Sequence, residues 1–435
     1  MKPPAYSKYN PSGVEWLGEV PAHWRVKRLK YVSSINDDEI SELTAPDYEI
    51  EYVDIGSVNQ IAGITDTEKI LFESAPSRAR RRVKDGDTIV STVRTYLKAI
   101  AAIESPPDNL VVSTGFTVVR PKQVLPGYLA HFLKSTYFVE SIVSRSVGVS
   151  YPAINASELG EISLAIPEEE EQEIISSFLD SATAKLDSLM DKKRSLIEKL
   201  KEKRSALISL TVTKGLPPEV AEEYAAKFPG LDAKVLAKRK LKPSGIDWLG
   251  EVPEGWAFKK LKWIYSDIES GDGISPEEID SGGSIPVYGG NGIMGYTEKH
   301  NSSTEDIIVG RVGAKCGNVY LVPGKKWISD NALKIDITHH DKKFFSLVLE
   351  SRNLNQLANQ NAQPLITGSI VGNQFVTVPS FPEQVAIVKY LEEETMKIDR
   401  MIEKVESALD KLSEYRTALI TAAVTGKIDV RGFKP

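Results

Sequence analysis

The chain has 435 residues, 41% of them hydrophobic, and a formal net charge of −6. That length suits about two to four domains, and its one cysteine, Cys316, excludes an intrachain disulfide and fits a reducing, cytoplasmic compartment. Met1–Asn10 carries no apolar signal-like core and no run approaches the roughly 18 apolar residues of a membrane span, so neither secretion nor membrane insertion is expected.

In chain order, the first feature is a segment that returns. Residues 11–32 read PSGVEWLGEVPAHWRVKRLKYV, and residues 243–264 read PSGIDWLGEVPEGWAFKKLKWI. Thirteen of the 22 positions are identical, including Trp16/Trp248 and Trp24/Trp256. The tryptophans are expected to pack or to dock a partner. A match this dense makes the protein a tandem of two related halves.

The first middle follows, with Arg78, Arg80, Arg81, Arg82 and Lys84 in one basic run. Such a run is either a solvated face or an electrostatic footprint for nucleic acid. Asp85-Gly-Asp87-Thr-Ile-Val90 reads as a turn into a strand, Val93–Lys98 follows, and further strands are expected at Ile100–Ile103, Val111-Val112 and Phe116–Val119. A helical reading covers Gly127 to Ser144.

Next comes a long helix. Ile175, Leu179, Ala182, Leu186, Leu189, Leu196, Leu200 and Leu207 form a heptad-like seam interrupted by Lys193 and Lys203. No Gly or Pro lies between Glu168 and Lys214, and the helix opens with glutamates and ends basic, as the helix dipole favours. A connector runs from Gly215 to Lys242, with a helical reading over Pro218–Phe228 and a basic stretch at Lys234–Lys240.

The second half repeats this plan. Asp306-Ile-Ile-Val309 matches Asp87-Thr-Ile-Val90, and Ser329 and Ala332 fall where Ser113 and Phe116 do. Tyr288-Gly-Gly-Asn291-Gly-Ile-Met-Gly295-Tyr296 offers ring and amide side chains on a glycine-rich turn, which is either a ligand-facing loop or a plain turn. A helical reading follows over Lys342–Asn359. The second seam takes Ile387, Leu391, Ile398, Met401, Val405, Ala408, Leu412, Tyr415 and Leu419. The opening repeats are offset by 232 residues and the Glu-Gln motifs at 171–172 and 383–384 by 212, so the second middle is 20 residues shorter. Each helix of about 40 residues makes a rod of roughly 60 Å, and two such rods are expected to pack antiparallel.

Catalytic signatures are missing. The nearest approach to an amino-methyltransferase tetrad, Ser105-Pro-Pro-Asp108, lacks the aromatic that stacks on a flipped base. No E-x-K nuclease motif occurs, and the D-x-K runs at Asp191 and Asp341 lack an upstream P-D. His339-His340 has no companion metal-ligand pattern, and no P-loop or G-x-S-x-G is present. These absences favour a binding protein over an enzyme.

The repeated S-G-[VI]-[ED]-W-L-G-E-V-P-x-x-W opening resembles the start of each half of the specificity subunits of type I restriction-modification enzymes. So do Glu171-Gln172 leading to Lys185-Leu186-Asp187, Glu383-Gln384 leading to Lys397-Ile398-Asp399, and the tail ends Thr211–Gly215 and Ala423–Lys427. The segments Gly86–Lys98, Val287–Tyr296 and Gly310–Tyr320 are similar to target-recognition domains of that family. The resemblance covers nearly the whole chain. It implies an α+β fold: two α/β target-recognition domains joined by two long antiparallel coiled-coil helices, with an internal pseudo-two-fold repeat. The expected boundaries are 1–166 and 243–378 for the recognition domains, 167–214 and 379–426 for the helices, 215–242 for the connector and 427–435 for the tail.

The implied function is non-catalytic. Each domain reads one half of a bipartite site in double-stranded DNA, the helices set the gap, and two methyltransferase subunits dock on the chain. Restriction subunits are further partners. No cofactor is expected here; S-adenosylmethionine belongs to the methyltransferase. A rod of this length caps the separation at roughly 18 base pairs.

Phosphate contacts hold register and a few side chains reach base edges, with Arg suited to guanine and Asn to adenine. The candidates in the first domain are Arg94, Thr95, Tyr96, Lys98 and the Arg78–Arg82 run; those in the second are Tyr288, Asn291, Arg311, Lys315 and Asn318. Tyr151 and Gln363, at equivalent places before the last strand, are either groove contacts or turn residues. The partner-binding candidates are Trp16, Trp24, Trp248 and Trp256. The competing reading is a tandem-repeat scaffold that binds protein only.

Overall fold

The structure, a computed structural model, describes residues 4–279, 282–359 and 364–433. Two compact units divide it: Met1–Ser195 with Glu406–Pro435, and Leu196–Val405.

In the first unit the repeated opening folds into a ribbon, Tyr9–Pro11 against Glu19–Pro21. Arg25–Arg28 pairs antiparallel with Ser163–Ile166, tying the start of the domain to its end. Between them lies an antiparallel sheet in the order Ile100–Ala102, Thr88–Ser91, Phe116–Pro121, Ser33–Ile35. A second sheet runs Glu68–Leu71, Glu49–Val53, Leu110–Ser113, Ala79–Arg82, and its central pair is parallel. Thr88–Ser91 and Leu110–Ser113 are buried along their whole length, as expected of apolar strands covered on both faces.

The second unit repeats this order. Leu241–Pro243 pairs with Glu251–Pro253, and Ala257–Lys260 with Phe375–Val378. Its antiparallel sheet is Tyr265–Ser270, Ala332–Ile337, Asp306–Gly310, Val319–Val322. Its second sheet has three strands, Gly292–Thr297, Ile285–Gly289 and Trp327–Ile328, again with a parallel pair. Among the described residues no strand stands where Ala79–Arg82 edges the first unit's sheet. Eight residues (298–305) connect strands that the first unit joins by sixteen (72–87). Two residues (290–291) replace the fourteen (54–67) that carry a small hairpin, Val58–Asn59 with Gly63–Ile64. The shortening of the second middle falls chiefly at these two places.

The Glu-Gln repeat has a structural cause. Gln172 Oε1 accepts the Leu125 backbone N–H at 2.8 Å, and its Nε2 donates to Pro167 O at 3.0 Å. Gln384 does the same in the second unit with Asp341 N and Pro379 O, both at 2.9 Å. Each glutamine clamps the start of a domain helix to the start of a long helix. Both amides are buried, so their bonds cannot be exchanged for water without cost.

The long helices are Glu169–Lys214 and Phe381–Val424. In the first unit, Ile175 and Leu179 near the start of one share a core with Leu419, Ile420, Ala423 and Val424 at the end of the other. Arg416 holds Asp187 through two hydrogen bonds of 2.8 and 3.1 Å. In the second unit Ile208 and Val212 meet Ala386, Ile387 and Leu391, and Arg204 pairs with Asp399 at 3.2 Å. Within each unit the pairing is therefore antiparallel.

The seam differs from the sequence expectation by one position. Leu189, Leu196, Met401 and Tyr415 are exposed, while Met190, Ile197 and Arg416 are buried and Ile402 is half-buried. On the first helix the shift begins with a step of four at Leu179–Thr183, where buried Thr183 replaces the expected Ala182 and rotates the following turns. The helical reading over Gly127–Ser144 is also interrupted. Pro126–Leu133 and Thr136–Val143 are separate helices, because Ser135 caps the second by accepting from Phe138 N. In the connector, Ala221–Lys227 and Ala233–Ala237 are helical, and the basic stretch buries Leu236.

Candidate nucleic-acid interface

The turn after the central strand is the feature both units share most closely. In the first unit Thr92 N donates to Gly115 O and Thr92 O accepts from Ile154 N, each at 2.9 Å. In the second, Arg311 N donates to Asn331 O and Arg311 O accepts from Ile366 N, each at 2.9 Å. Val93 bridges Ala153 as Val312 bridges Leu365. This register makes Arg94 the counterpart of Gly313, Tyr96 of Lys315, Lys98 of Gly317 and Ala99 of Asn318.

The backbone of this turn requires positive φ twice. Gly313 and Gly317 adopt φ of 93° and 85°. Arg94 and Lys98 occupy the same places at φ of 50° and 53°. A non-glycine residue in the left-handed region is uncommon, and such strain gathers at functional sites. The first unit thus accepts backbone strain to place two cations where glycine suffices in the second.

Around that turn the first unit gathers several of its candidates. The Arg94 guanidinium lies 4.9 Å from the centre of the Tyr151 ring. Lys98 Nζ is 3.8 Å from a Glu140 carboxylate oxygen, and Tyr96 is exposed. Thr95 is buried, with its hydroxyl 2.9 Å from Ser146 Oγ, so it braces the turn from inside. Arg78 lies close by, because its carbonyl accepts from Thr114 N at 2.7 Å beside Gly115.

The basic run also makes pairings within its own domain. Arg78 pairs with Asp54 and donates to Tyr52 OH at 3.1 Å. Arg81 pairs with Glu39, and Arg80 lies over the Phe72 ring. Arg82 is half-buried along the edge strand.

The second unit brings its candidates together through Ser329–Asn331. Ser329 N donates to Tyr288 O at 2.9 Å, while Asn331 O receives Arg311 N. Arg311 Nη1 donates to Asp330 O at 3.2 Å, and Asn291, Lys315 and Asn318 are exposed. The Tyr288 and Tyr320 rings lie 6.3 Å apart, and burial lifts the Tyr288 phenol above its ordinary pKa. Gln363 lies outside the described residues.

The tryptophans divide. Trp24 and Trp256 are buried; Trp256 Nε1 donates to Glu383 Oε2 at 2.8 Å and its ring lies under Arg239. These two spend their rings on packing. Trp248 is half-buried beneath Arg352, and Trp16 is exposed and free to meet another surface.

No group of three or more His, Cys, Asp or Glu residues among those described could hold a metal ion. No helix there is long and apolar enough to cross a membrane.

The type I restriction modification DNA specificity domain model matches residues 21–199 and 253–406. The chain belongs to that family. This specificity-subunit family is non-catalytic, so no cofactor is expected in the chain itself. The type I restriction enzyme MjaX specificity subunit of Methanocaldococcus jannaschii is 23% identical across 95% of this chain and 96% of its own length. The EcoKI specificity subunit of Escherichia coli K12 is also 23% identical, over 72% of this chain and 68% of that protein. A solved structure from work on complex assembly and conformational transition of the type I R-M system matches with a TM-score of 0.63. It is 22% identical, over 93% of this chain and 98% of the other, and shares the fold. The protein is thus a DNA specificity subunit of a type I restriction-modification system.

Sequence reasoning passed over Val147 and Val149, which stand exposed beside Tyr151. It also passed over the strain at Arg94 and Lys98. Aligning the two turns residue by residue was the available signal, since a glycine facing a cation in an otherwise matched turn marks the required φ.

Proposed function

We propose that this specificity subunit reads a two-part site in double-stranded DNA, one half with each unit. The observation that carries this reading is the shared turn: one backbone, held by equivalent hydrogen bonds, dressed with Arg94, Tyr96 and Lys98 in one unit and with Arg311, Lys315 and Asn318 in the other. A common frame with different side chains is what reading two different sequences in one manner requires. Arg78, Tyr151, Tyr288 and Asn291 complete the proposed contact sets. Two methyltransferase subunits, supplied with S-adenosylmethionine, dock on the chain, with Trp16 as an exposed contact. Restriction subunits join that assembly. The two long helices set the gap between half-sites.

The test is single-molecule methylome sequencing of cells expressing the chain with its modification subunit. A bipartite methylated motif is expected, and a one-part motif or none overturns the reading. Removing two heptads from both helices in matched positions is expected to change the gap and leave both half-sites intact; altered half-sites overturn the ruler. Arg311→Ala is expected to relax the second half-site alone, whereas uniform weakening on all DNA marks a phosphate contact.

A further inference from the structure

Beside the strained turn of the first unit stands a short hairpin with an apolar tip. Val147 and Ala153 exchange backbone hydrogen bonds of 2.9 and 3.0 Å, closing the loop Gly148–Pro152. Thr95 N and Thr95 Oγ1 fasten it from below, to Pro152 O at 3.4 Å and to Ser146 Oγ at 2.9 Å. The tip leaves Val147 79%, Val149 103% and Tyr151 64% exposed, with Tyr96 and Leu97 also open beside it. The loop is pinned at its base and presents aliphatic side chains to solvent, an arrangement that costs solubility unless something covers it.

The rim of this patch identifies the cover. Arg94, Lys98 and Arg145 are exposed around it, with Lys98 3.8 Å from a Glu140 carboxylate oxygen. Arg94 lies over the Tyr151 ring, 4.9 Å from its centre. An apolar centre inside a cationic rim complements a DNA groove, where phosphates flank the base edges. The one apolar group on a base edge in the major groove is the thymine 5-methyl, which aliphatic side chains contact directly.

We propose that the Val147–Tyr151 hairpin tip reads thymine in the first half-site by packing Val149, and Val147 beside it, against the 5-methyl group. This rests on the bipartite reading above and adds the chemistry of one contact within it.

Deoxyuridine isolates that contact, since it differs from thymidine by the methyl alone. The full chain assembled with its modification subunits is titrated with duplexes in which each half-site thymidine is replaced singly by deoxyuridine. One replacement in the first half-site is expected to weaken binding about fourfold, equivalent to about 0.8 kcal/mol for one buried methyl. Val149→Ser is expected to abolish that discrimination, and Tyr151→Ser to reduce it, with the protein still folded because both side chains face solvent.

Equal affinity for thymidine and deoxyuridine duplexes overturns the proposal while leaving the bipartite reading in place. So does a first half-site without an A·T pair. If Val149→Ser weakens assembly with the modification subunits and leaves thymidine discrimination unchanged, the patch docks protein and the proposal fails. An assembly that ignores the first half-site altogether removes the underlying reading as well.

Discussion

The two units hold one buried aspartate with two different partners. Asp87 immediately precedes the central strand of the first unit and Asp306 opens that of the second, at matched positions, and both are almost fully buried. In the first unit Arg120 grips Asp87 by two hydrogen bonds of 2.9 and 2.8 Å, and Lys84 N adds a third at 2.7 Å. Arg120 also pairs with Asp37 and keeps some contact with water. In the second unit the partner is Lys326, wholly buried, 2.8 Å from Asp306 and donating as well to Gly324 O at 2.9 Å. The same scaffold position is therefore satisfied by a shared, half-wet arginine in one unit and by a private, dry lysine in the other. A position can be fixed by the fold while its partner is free to vary, provided the charge is answered.

That contrast sets the largest expected effect. Asp306→Asn leaves the Lys326 ammonium buried without its counter-charge, and a loss of about 3–5 kcal/mol is expected. Asp87→Asn leaves Arg120 its Asp37 partner and a route to solvent, so a loss of about 1–3 kcal/mol is expected. Urea melts followed by hydrogen exchange in each unit measure both, and equal losses break the comparison.

Acid tests the same pair. Burial works to raise the Asp306 carboxyl, but hydrogen bonds from Lys326 and Ser302 and the Lys326 charge overrule it and hold the carboxyl below its ordinary value. A lowered folded-state pKa gives stability that is present above the unfolded value, about 4, and is lost as pH falls through the folded one. The second unit is therefore expected to lose stability below about pH 4, and Asp306→Asn to flatten that limb.

The shared turn provides the next test. Gly317→Ala puts a Cβ against the Asn355 and Leu354 backbone at positive φ, and a loss of about 1–3 kcal/mol is expected. In the opposite direction, Arg94→Gly or Lys98→Gly relieves strain. No loss of stability is expected, with a gain of up to about 1 kcal/mol, while affinity for the first half-site falls about tenfold. A variant that loses both stability and binding would show that these cations hold the turn together rather than serve the DNA.

Much of this was legible before any coordinates. The Pro-Ser-Gly and Glu-Gln repeats marked the two halves because identical clamps need identical residues: Gln172 and Gln384 make the same two bonds. Candidate turn residues could be named from Arg94, Lys98 and Arg311 because cations and amides in a matched turn point to base and phosphate chemistry. The helix seams were readable as heptads but not in phase, since which face each helix buries, as at Thr183 on the first, is a packing choice between helices. The ion pairs within the basic run at Arg78–Arg82 were not legible for a related reason. Asp54 and Glu39, which neutralise two of its members, lie 24 and 42 residues away in sequence.

The sequence by itself determined the tandem, the long helices, the variable middles and the family, because local periodicity and repeated motifs are written along the chain. The tertiary structure decided which charges are free and which are spent, that Trp24 and Trp256 belong to cores, and that two valines and a tyrosine stand uncovered beside a strained turn. Those facts depend on pairings across the fold, and no one-dimensional pattern carries the distance between two side chains.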